Sequence, residues 1–312
     1  MKLEPVENGT LPEVYDSKYI LANRRKTLQT WCQKQQYSKE IQYITGYISR
    51  YGRSTGNVDF WTCFTPKCAS QSFTTAVLHA TGFIKPNQDL DNKPWRLIWL
   101  NEFGRNKCPR ENGTCLHEYE QMPTSLRTFK SPLVKGLFAR DPMDRLVSAW
   151  KNKLYAMNFQ FYYEKVTYKI LRIQDPRVPV DGKTAFEQGY RLEFNDFIKW
   201  LITDFNFNAD EHWRPIHDLC NVCYINYDFI GHSDYFNEEL PEFFSLLNVS
   251  TSILPPSFET VNRHSAENNK YINSTSIEEY FSDVSKNERK LLLQIYQPDY
   301  DAFSFTVPKW LI

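Results

Sequence analysis

"TPKCASQSFTTAV", residues 65–77, decides the fold, because it joins a strand pattern to a helix pattern. Val58–Thr65 is rich in β-forming residues, and from Ser72 onward the apolar residues recur at helical spacing. The N–H groups and the dipole at such a helix start favour an anion. Lys67 adds a positive charge, and Ser70 and Ser72 add hydroxyl donors. The stretch therefore predicts a phosphate-binding loop.

The residue order in this loop differs from that of nucleoside triphosphatases. Their pattern GxxxxGK[ST] is absent, since Lys67 precedes the turn instead of following it. A lysine at a strand end reaches over the loop towards the group that leaves the nucleotide. The alternative, an ordinary strand–helix turn with a solvated lysine, stays open at this point.

A second strand-to-helix junction follows in "FARDPMDRLVSAWKNKL", residues 138–154. Arg140 lies at the predicted strand end, and Ser148 lies two turns into a helix that Asp141 and Pro142 open. A guanidinium and a hydroxyl so spaced can share one phosphate. The alternative is an Arg–Asp surface pair with a small buried serine. Two anion sites on adjacent strand–helix units suit a nucleotide that carries phosphates on both its 5′ and 3′ sides.

Strands alternate with helices along the chain, which indicates an α/β fold with a mainly parallel sheet. Further strands are predicted at Trp95–Leu100, Leu133–Ala139 and Tyr224–Ile230. Helices are predicted at Arg24–Lys34, Phe194–Phe205, Glu238–Leu247 and Asn287–Tyr296. Residues 101–125 are loop-like, and 155–190 are insert-like. We expect a polar leader at 1–20 and a single catalytic domain at 21–312.

Composition limits the class of protein. The 312 residues are 41% hydrophobic and 16% aromatic, enough for a large buried core. A formal net charge of zero argues against protein-wide attraction to nucleic acid. No segment approaches the roughly 20 apolar residues of a membrane helix, and the N-terminus lacks the apolar core of a signal peptide. We expect either a cytosolic protein or one whose anchor is absent from this chain. Four glycosylation sequons support a secretory setting only weakly; they lie at Asn8, Asn112, Asn248 and Asn273.

The two phosphate motifs together resemble the sulfotransferases that use 3′-phosphoadenosine 5′-phosphosulfate, whose donor motifs are Pro-Lys-x-x-x-x-Ser/Thr and an Arg followed eight residues later by Ser. A third stretch, "DEHWRPIHDLCNVCYINYDFIG" within residues 210–240, is similar to a segment of the Golgi carbohydrate sulfotransferases of the chondroitin, dermatan and N-acetylgalactosamine 4-O class. The RDP-x-x-RLVSAW-x-x-K segment and the C-terminal residues 280–303 also resemble that class. The resemblance spans roughly residues 25–305 and implies a P-loop-like three-layer fold.

The phosphate loop departs from that class. Ala69, Ser70 and Phe73 stand where the class usually has Gly, Cys or Thr, and Trp, so the loop resembles that of uronyl 2-O-sulfotransferases. Ala69 fits such a loop if its φ is negative, since only a positive φ or a very close approach needs glycine.

The resemblance implies transfer of a sulfuryl group to a glycan hydroxyl, with an anionic polysaccharide as one form of acceptor and no metal. Lys67 would stabilise the bridging and leaving oxygens, and Arg140 and Ser148 would hold the 3′-phosphate. The 5′-phosphate would meet backbone N–H groups and hydroxyls of Cys68, Ala69, Ser70, Gln71, Ser72 and Phe73. It also implies a type II Golgi protein with a lumenal catalytic domain.

The base that takes the acceptor proton is left open between His117 and His212, with Glu102 and Glu118 as remoter candidates. Each histidine also has an ordinary interpretation, as a surface-loop residue for His117 and as a structural residue packed on Trp213 for His212. Cations that could meet an anionic glycan are Arg127, Lys130, Lys153, Arg214 and Arg263.

Seven cysteines suit either redox compartment. Cys220-x-x-Cys223 with His217 nearby is a weak zinc signal, and a redox CxxC usually opens a helix, whereas this one precedes a predicted strand. Disulfides agree better with the resemblance, and a local Cys108–Cys115 bridge is the first expectation. Cys63 and Cys68 are expected to be free.

Three alternatives to a carbohydrate sulfotransferase remain. A nucleotide kinase of related fold would need GxxxxGK[ST] and a magnesium carboxylate, and neither is evident in the sequence. A glycan- or nucleotide-binding relative could have lost catalysis when its loop diverged. A sulfotransferase could also act on a small alcohol or a tyrosine.

Overall fold

A computed structural model describes eleven stretches of the chain: 16–35, 46–53, 56–63, 65–70, 72–73, 76, 115–119, 133–157, 159–204, 210–249 and 276–312. The chain divides into two compact units. The first unit comprises Met1–Ala139, Ile216–Phe258 and Asp301–Thr306. The second comprises Arg140–Pro215, Glu259–Tyr300 and Val307–Ile312. The expectation of one catalytic domain stays a prediction.

The strands of the described residues form one five-stranded sheet. They are β1 (Gly46–Arg53), β2 (Gly56–Cys63), β3 (Cys115–Tyr119), β4 (Leu133–Ala139) and β5 (Phe229–His232). Their order is β3-β1-β2-β4-β5. β2, β4 and β5 are mutually parallel, whereas β1 pairs antiparallel with both β2 and β3.

The parallel part of the sheet confirms the α/β prediction. The predicted strand 133–139 is β4 itself, and 58–65 is β2 shifted by two residues. The strand predicted at 224–230 begins five residues late, because residues 221–224 form a turn. The antiparallel strands β1 and β3 are absent from the prediction, which placed loop at 101–125. The strand predicted at 95–100 lies outside the described residues.

The α-helices of the described residues with both ends defined are α1 (Ser17–Lys34), α2 (Pro142–Ala149), α3 (Gln160–Tyr162), α4 (Tyr168–Gln174), α5 (Gly182–Glu187), α6 (Phe194–Asp204), α7 (Ile216–Leu219), α8 (Phe236–Leu246), α9 (Ile277–Tyr280) and α10 (Lys286–Phe303). Two π-helical turns, Trp150–Tyr155 and Tyr163–Thr167, adjoin α2 and α3. All four predicted helices are present. α6 and α8 agree with the prediction to within two residues, whereas α1 begins seven residues earlier, inside the predicted leader, and α10 ends seven residues later. None of the described helices is both long and apolar enough to cross a membrane.

Aromatic rings fill the core of the first unit beside the parallel strands. Phe138 of β4 packs against Phe229 of β5 at 5.2 Å and against Phe236 of α8 at 4.8 Å between ring centroids. A Cβ atom at Gly231 would lie only 2.5 Å from the Phe138 ring, so glycine lets β5 approach this ring. α1 is tied to the same core by the buried ion pair of Arg24 with Glu239, 2.7 Å apart.

Two disulfides brace the first unit. Cys32 of α1 bonds to Cys223, and Cys63 at the end of β2 bonds to Cys220. The expectation that Cys63 forms no disulfide is therefore wrong, while the same expectation for Cys68 is confirmed, and its thiol is buried. The expected Cys108–Cys115 bridge involves Cys108, which lies outside the described residues.

The second unit is organised around α2 and the π-helical turn that continues it. The apolar stripe predicted for this helix is buried along its whole length; it comprises Met143, Leu146, Val147, Trp150 and Leu154. The indole N–H of Trp150 donates to the Leu192 carbonyl at 2.9 Å. Residues 155–190, predicted as an insert, contain three short helices and the π-helical turn Tyr163–Thr167, in which Tyr163 and Val166 are buried. The Thr167 hydroxyl of this turn donates to the carbonyl of Leu154 at 3.5 Å.

Candidate functional site

The first candidate element is the loop that follows β2. Its starting point is fixed twice: Cys63, the last residue of β2, is bonded to Cys220, and the hydroxyl of Thr65 donates to the Phe138 carbonyl of β4 at 2.6 Å. Since β2 and β4 are parallel neighbours, the loop begins at the carboxyl edge of the sheet. This edge is where open α/β sheets bind their ligands.

The backbone of this loop is left-handed at two residues. Lys67 has φ of 70° and Ala69 has φ of 56°, and Cys68 between them is not among the positive-φ residues. Such alternation turns successive N–H groups towards one side, which makes an anion-binding concavity. The condition under which alanine was said to fit this loop, a negative φ, is not met at Ala69. A non-glycine residue in this region costs about 1–2 kcal/mol, so this loop is strained at both residues.

Hydrogen bonds define which backbone donors the loop offers. The Cys68 N–H donates to the Thr65 carbonyl at 3.2 Å, and the Phe73 N–H donates to the Ala69 carbonyl at 2.9 Å. The second bond is the first helical turn, because Ser70, Ser72, Phe73 and Ala76 are helical. The N–H groups of Cys68 and Phe73 are therefore already hydrogen-bonded to carbonyls of the loop itself.

The side chains of the loop divide into two groups. Cys68 and Ser72 are buried, and the Phe73 ring packs on Phe138 and Phe243 at 5.7 and 5.3 Å. Lys67, Ala69 and Ser70 are half-buried. Phe73 thus anchors the helix to the core, whereas the side chains of Lys67 and Ser70 remain partly exposed. Gln71 lies outside the described residues.

The second candidate element belongs to the second unit. Arg140 is half-buried and directly precedes Asp141, the N-cap of α2, while Ser148 is half-buried in the last turn of this helix. The Asp141 carboxylate accepts from the N–H groups of Met143 and Asp144 at 2.8 and 3.2 Å. The carboxylate suggested as a surface partner of Arg140 therefore serves as a helix cap.

Burial perturbs this cap. Desolvation and then the negative charge of Asp144 raise the pKa of Asp141 to about 6, against the opposing hydrogen bonds from Asp144, Met143 and Tyr300. The Tyr300 hydroxyl of α10 lies 3.5 Å from the carboxylate. A carboxyl group that titrates near pH 6 thus adjoins Arg140 in sequence.

His212 lies in a polar cluster of the second unit. Its Nδ1 is 2.7 Å from Oδ1 of Asp210 and 3.0 Å from the Tyr162 hydroxyl. The backbone N–H of His212 also donates to Asp210 Oδ1, at 3.1 Å. The imidazole is buried, and its centroid lies 6.5 Å from that of the Trp213 ring, so the ring contact expected for a structural histidine is also present.

A buried arginine fixes the segment that carries His212. Arg145 of α2 donates to the carbonyls of Arg214 and Glu211 at 2.6 and 2.5 Å. The Tyr296 hydroxyl of α10 donates to the Trp213 carbonyl. The sequence analysis assigned no role to Arg145. Its position five residues after Arg140, inside the segment most similar to the carbohydrate sulfotransferases, was a usable signal.

The other candidate bases are only partly located. His117 and Glu118 lie on β3, where His117 pairs with Ile48 of β1, but their side chains are outside the description. Glu102 lies outside the described residues, as do the candidate acceptor cations Arg127, Lys130 and Arg263. Lys153 lies over the rings of Phe159 and Tyr162.

The cysteine pair Cys220-x-x-Cys223 is neither a zinc pair nor a redox pair. Each cysteine bonds to a different partner, Cys63 and Cys32 respectively, so neither thiolate is available to a metal. His217 packs edge-on against Trp31, at 5.8 Å between centroids. Within the described stretches, no group of three His, Cys, Asp or Glu residues could hold a metal ion.

Comparison with known proteins identifies the class. The model of the Sulfotransferase family matches residues 55–306, which include both candidate elements. The chain belongs to this family.

Several curated relatives refine the resemblance. Carbohydrate sulfotransferase 9 of Homo sapiens is 32% identical over 59% of this chain and 39% of its own length. Carbohydrate sulfotransferase 12 of Mus musculus is 30% identical over 57% of this chain and 41% of its own length. Carbohydrate sulfotransferase 11 of Danio rerio is 26% identical over 70% of this chain and 62% of its own length. The resemblance to carbohydrate sulfotransferases is thus confirmed, although this chain matches only about two-fifths of the length of the first two relatives. No solved structure matches the chain.

Proposed function

We propose that the chain transfers a sulfuryl group from 3′-phosphoadenosine 5′-phosphosulfate to a hydroxyl of a glycan. The proposal rests above all on the loop 65–70, which follows the carboxyl end of a parallel strand. Two of its residues, Lys67 and Ala69, have left-handed backbone conformations. Membership of the Sulfotransferase family and the names of the curated relatives support the donor and the acceptor class.

The donor's two phosphate groups would bind at the two candidate elements. The 5′-phosphosulfate fits the loop, where Lys67 supplies charge, Ser70 a hydroxyl, and the backbone a concavity of N–H groups. The 3′-phosphate is assigned to Arg140 and Ser148. Because β2 and β4 are adjacent and parallel, the chain leaves the same edge of the sheet at the start of both elements.

For the chemistry, the residues position groups and stabilise charge. Lys67 would stabilise the negative charge that develops on the oxygens between sulfur and the 5′-phosphate. A histidine, His117 or His212, would remove the acceptor proton as the acceptor oxygen attacks sulfur in line. Phosphoryl transfer achieves its rate in the same way, through alignment and electrostatics. The proposal gives no role to a metal.

The acceptor would meet a cationic and aromatic segment of the second unit. Residues 151–172 contain five cations and one anion, in a chain whose net charge is zero. Phe159 and Phe161 are 40% and 62% exposed, and lysines lie over both rings: Lys153 at 4.2 Å and Lys165 at 5.3 Å. Aromatic faces suit sugar rings, and ammonium groups suit carboxylate or sulfate. An anionic polysaccharide is therefore the favoured acceptor.

A lumenal Golgi location agrees with the cysteine chemistry. Disulfides persist in oxidising compartments and are rare in the cytosol, and the described part of the chain contains two bridges of long sequence separation, 191 and 157 residues. We propose that the protein acts in the Golgi lumen and is held there by a membrane anchor.

Nucleotide binding tests the donor assignment. By isothermal calorimetry the chain should bind 3′-phosphoadenosine 5′-phosphate more tightly than adenosine 5′-phosphate or ATP with magnesium. Arg140→Ala should weaken binding of the bisphosphate by about 1.5–3 kcal/mol, as expected for a charged hydrogen bond, and should remove the preference for a 3′-phosphate. Arg177→Ala is the matched control, because Arg177 is an exposed arginine of the same unit that pairs with Asp175. A preference for ATP with magnesium would instead favour a kinase.

Turnover with radiolabelled donor tests the reaction. Neutral glycans, anionic polysaccharides, small alcohols and tyrosine peptides should be compared as acceptors, and anionic polysaccharides should be labelled best. Binding of the nucleotide with no transfer to any of them would indicate a relative that has lost catalysis.

A further inference from the structure

Asp210 collects the hydrogen bonds that fix His212. Its Oδ1 accepts the backbone N–H of His212 at 3.1 Å and faces the imidazole Nδ1 at 2.7 Å. The other oxygen of this carboxylate, Oδ2, lies 3.3 Å from the Lys165 ammonium. A carboxylate that receives an N–H on one oxygen and faces an ammonium with the other acts as a hydrogen-bond acceptor. The proton between Asp210 and the ring therefore sits on Nδ1.

The protonation of the neighbours agrees with this geometry. Burial alone would raise the pKa of Asp210, but the hydrogen bonds and charge of His212 lower it to about 2, so the carboxylate is ionised at neutral pH. Burial and then the charges of Asp210 and Glu211 raise the pKa of the Tyr162 hydroxyl, which keeps its proton. With Nδ1 as the donor, neutral His212 carries its lone pair on Nε2.

We propose that Asp210 and Tyr162 are positioning residues that hold His212 with Nε2 as the acceptor of the glycan hydroxyl proton. This inference rests on the proposed sulfuryl transfer. As the O–H bond breaks, the proton passes to Nε2, the acceptor oxygen bonds to sulfur, and the bond from sulfur to the 5′-phosphate oxygen breaks with its electron pair on the departing nucleotide. The ring then bears a positive charge, and the Asp210 carboxylate stabilises it through Nδ1–H, as carboxylate–histidine pairs do in hydrolases.

The surroundings are built to keep this arrangement. Arg145 and Tyr296 hold the carbonyls on both sides of His212, so its backbone is fixed. Among the described residues, other charged groups near the pair include Lys165, Glu211, Lys153 and Arg145. Burial, then the charge of Asp210, raises the pKa of Glu211, and burial lowers that of Lys153 despite both carboxylates. Because these charged groups surround the pair, the pH profile of each variant is read as a difference from wild type.

The kinetic test compares four variants with the wild-type chain. His212→Ala should lower kcat by about 10²–10⁴, the usual contribution of a general base. Asp210→Asn should lose most of that rate and shift the acidic limb of the kcat–pH profile, where the base loses its proton, to lower pH. Tyr162→Phe should lose only a few-fold. His217→Asn, a buried histidine next to Trp31, is the control. Binding of 3′-phosphoadenosine 5′-phosphate should stay unchanged in all four.

His117→Ala is assayed in parallel. Full activity in His212→Ala, or an Asp210→Asn profile with unshifted pH dependence, overturns the inference. A loss confined to His117→Ala would assign the base to His117. Failure of wild type to bind the nucleotide would instead contradict the proposed function.

Nuclear magnetic resonance tests the tautomer without any turnover. Long-range ¹⁵N–¹H spectra of the wild-type chain, assigned with His212→Ala, should show His212 protonated at Nδ1 and not at Nε2 near neutral pH. Asp210→Asn should weaken that preference. The opposite tautomer in wild type would overturn the inference, whatever the kinetics.

Discussion

The two strand-to-helix junctions solve the same problem with different backbones. After β4, Asp141 caps a regular helix with proline at its first position, and an apolar stripe buries that helix. After β2, the chain passes through two left-handed residues, Lys67 and Ala69, before the helix begins. The regular junction is stabilised by local rules of sequence. The irregular one depends on the Cys63–Cys220 bond and on the Thr65 hydrogen bond to Phe138.

Of the two junctions, the loop after β2 has the strained backbone, at Lys67 and Ala69. A positive φ at two non-glycine residues costs free energy that the rest of the fold must supply, and the bond at Cys63 holds the strand end in position. The gain is a concavity of N–H groups that a regular helix start does not make. We therefore expect the loop after β2 to govern the reaction, and the junction after β4 to govern nucleotide selectivity and pH-dependent stability.

Lys67→Ala tests the first part of this expectation and should give the largest effect. We expect kcat to fall by about 100-fold or more, since removal of one group that stabilises the developing charge typically costs this much. The Kd of 3′-phosphoadenosine 5′-phosphate should rise by less than about 10-fold. Lys183→Ala is the control, because Lys183 is exposed and pairs only loosely with Glu187, at 3.9 Å. Wild-type turnover in Lys67→Ala would remove Lys67 from the reaction.

Removal of the disulfide at the end of β2 should have the next largest effect. Replacement of Cys63 and Cys220 by alanine should lower the free energy of unfolding by about 3–5 kcal/mol and weaken nucleotide binding. The Cys32/Cys223 double variant is the matched control, because that bridge closes a loop of similar length, 191 against 157 residues. It should lose comparable stability and keep nucleotide affinity. Equal loss of affinity in both would show that the bond at Cys63 has no special role in the loop.

Asp141→Asn tests the junction after β4, where we expect an effect of pH on stability. Burial raises the folded-state pKa of Asp141 from 3.8 to about 6, so the contribution of this group to stability is full below pH 4 and is lost as the pH rises to 6. Asparagine keeps the cap without a charge to desolvate. At pH 7 the free energy of unfolding of the variant should therefore be higher by about 1–2 kcal/mol. The gain from removing the buried charge is partly cancelled, because the variant also loses the attraction between the carboxylate and the helix dipole.

Thermal unfolding between pH 4 and 7 measures this effect. The difference between Asp141→Asn and wild type should grow with pH up to about 6 and then level off. Asp141→Ala, which loses the cap as well, should gain less. A difference that does not change with pH would contradict the raised pKa.

The same contrast explains what sequence could predict. The junction after β4 follows from residue types alone: Pro142 at the helix start, an acidic cap, and apolar residues at helical spacing. The loop after β2 does not, because Cys63 and Phe73 on either side of it are held by partners that are distant in sequence, Cys220 and the rings of Phe138 and Phe243. β1 and β3 were not predicted, because they are antiparallel strands at one edge of the sheet and lie outside the alternation of strands and helices on which the prediction was based. Asp210 and Arg145 were not predicted as site residues, although both lie in quoted segments. The contacts of Arg145 join it to residues 211 and 214, which are distant in sequence, so no local pattern indicates them.

Ala69→Gly tests the strain itself and should give the smallest effect. Glycine has no Cβ atom to oppose a φ of 56°, so the variant avoids the steric cost that alanine has in this conformation. Glycine also gives the unfolded chain more conformational entropy, which cancels part of this gain. The free energy of unfolding should therefore rise by up to about 1 kcal/mol. Ala76→Gly is the control in the helix that follows, where the same change should cost about 1 kcal/mol. Chemical denaturation measures both. If Ala69→Gly were as destabilising as Ala76→Gly, the left-handed conformation at residue 69 would be contradicted, and with it the concavity assigned to the 5′-phosphosulfate.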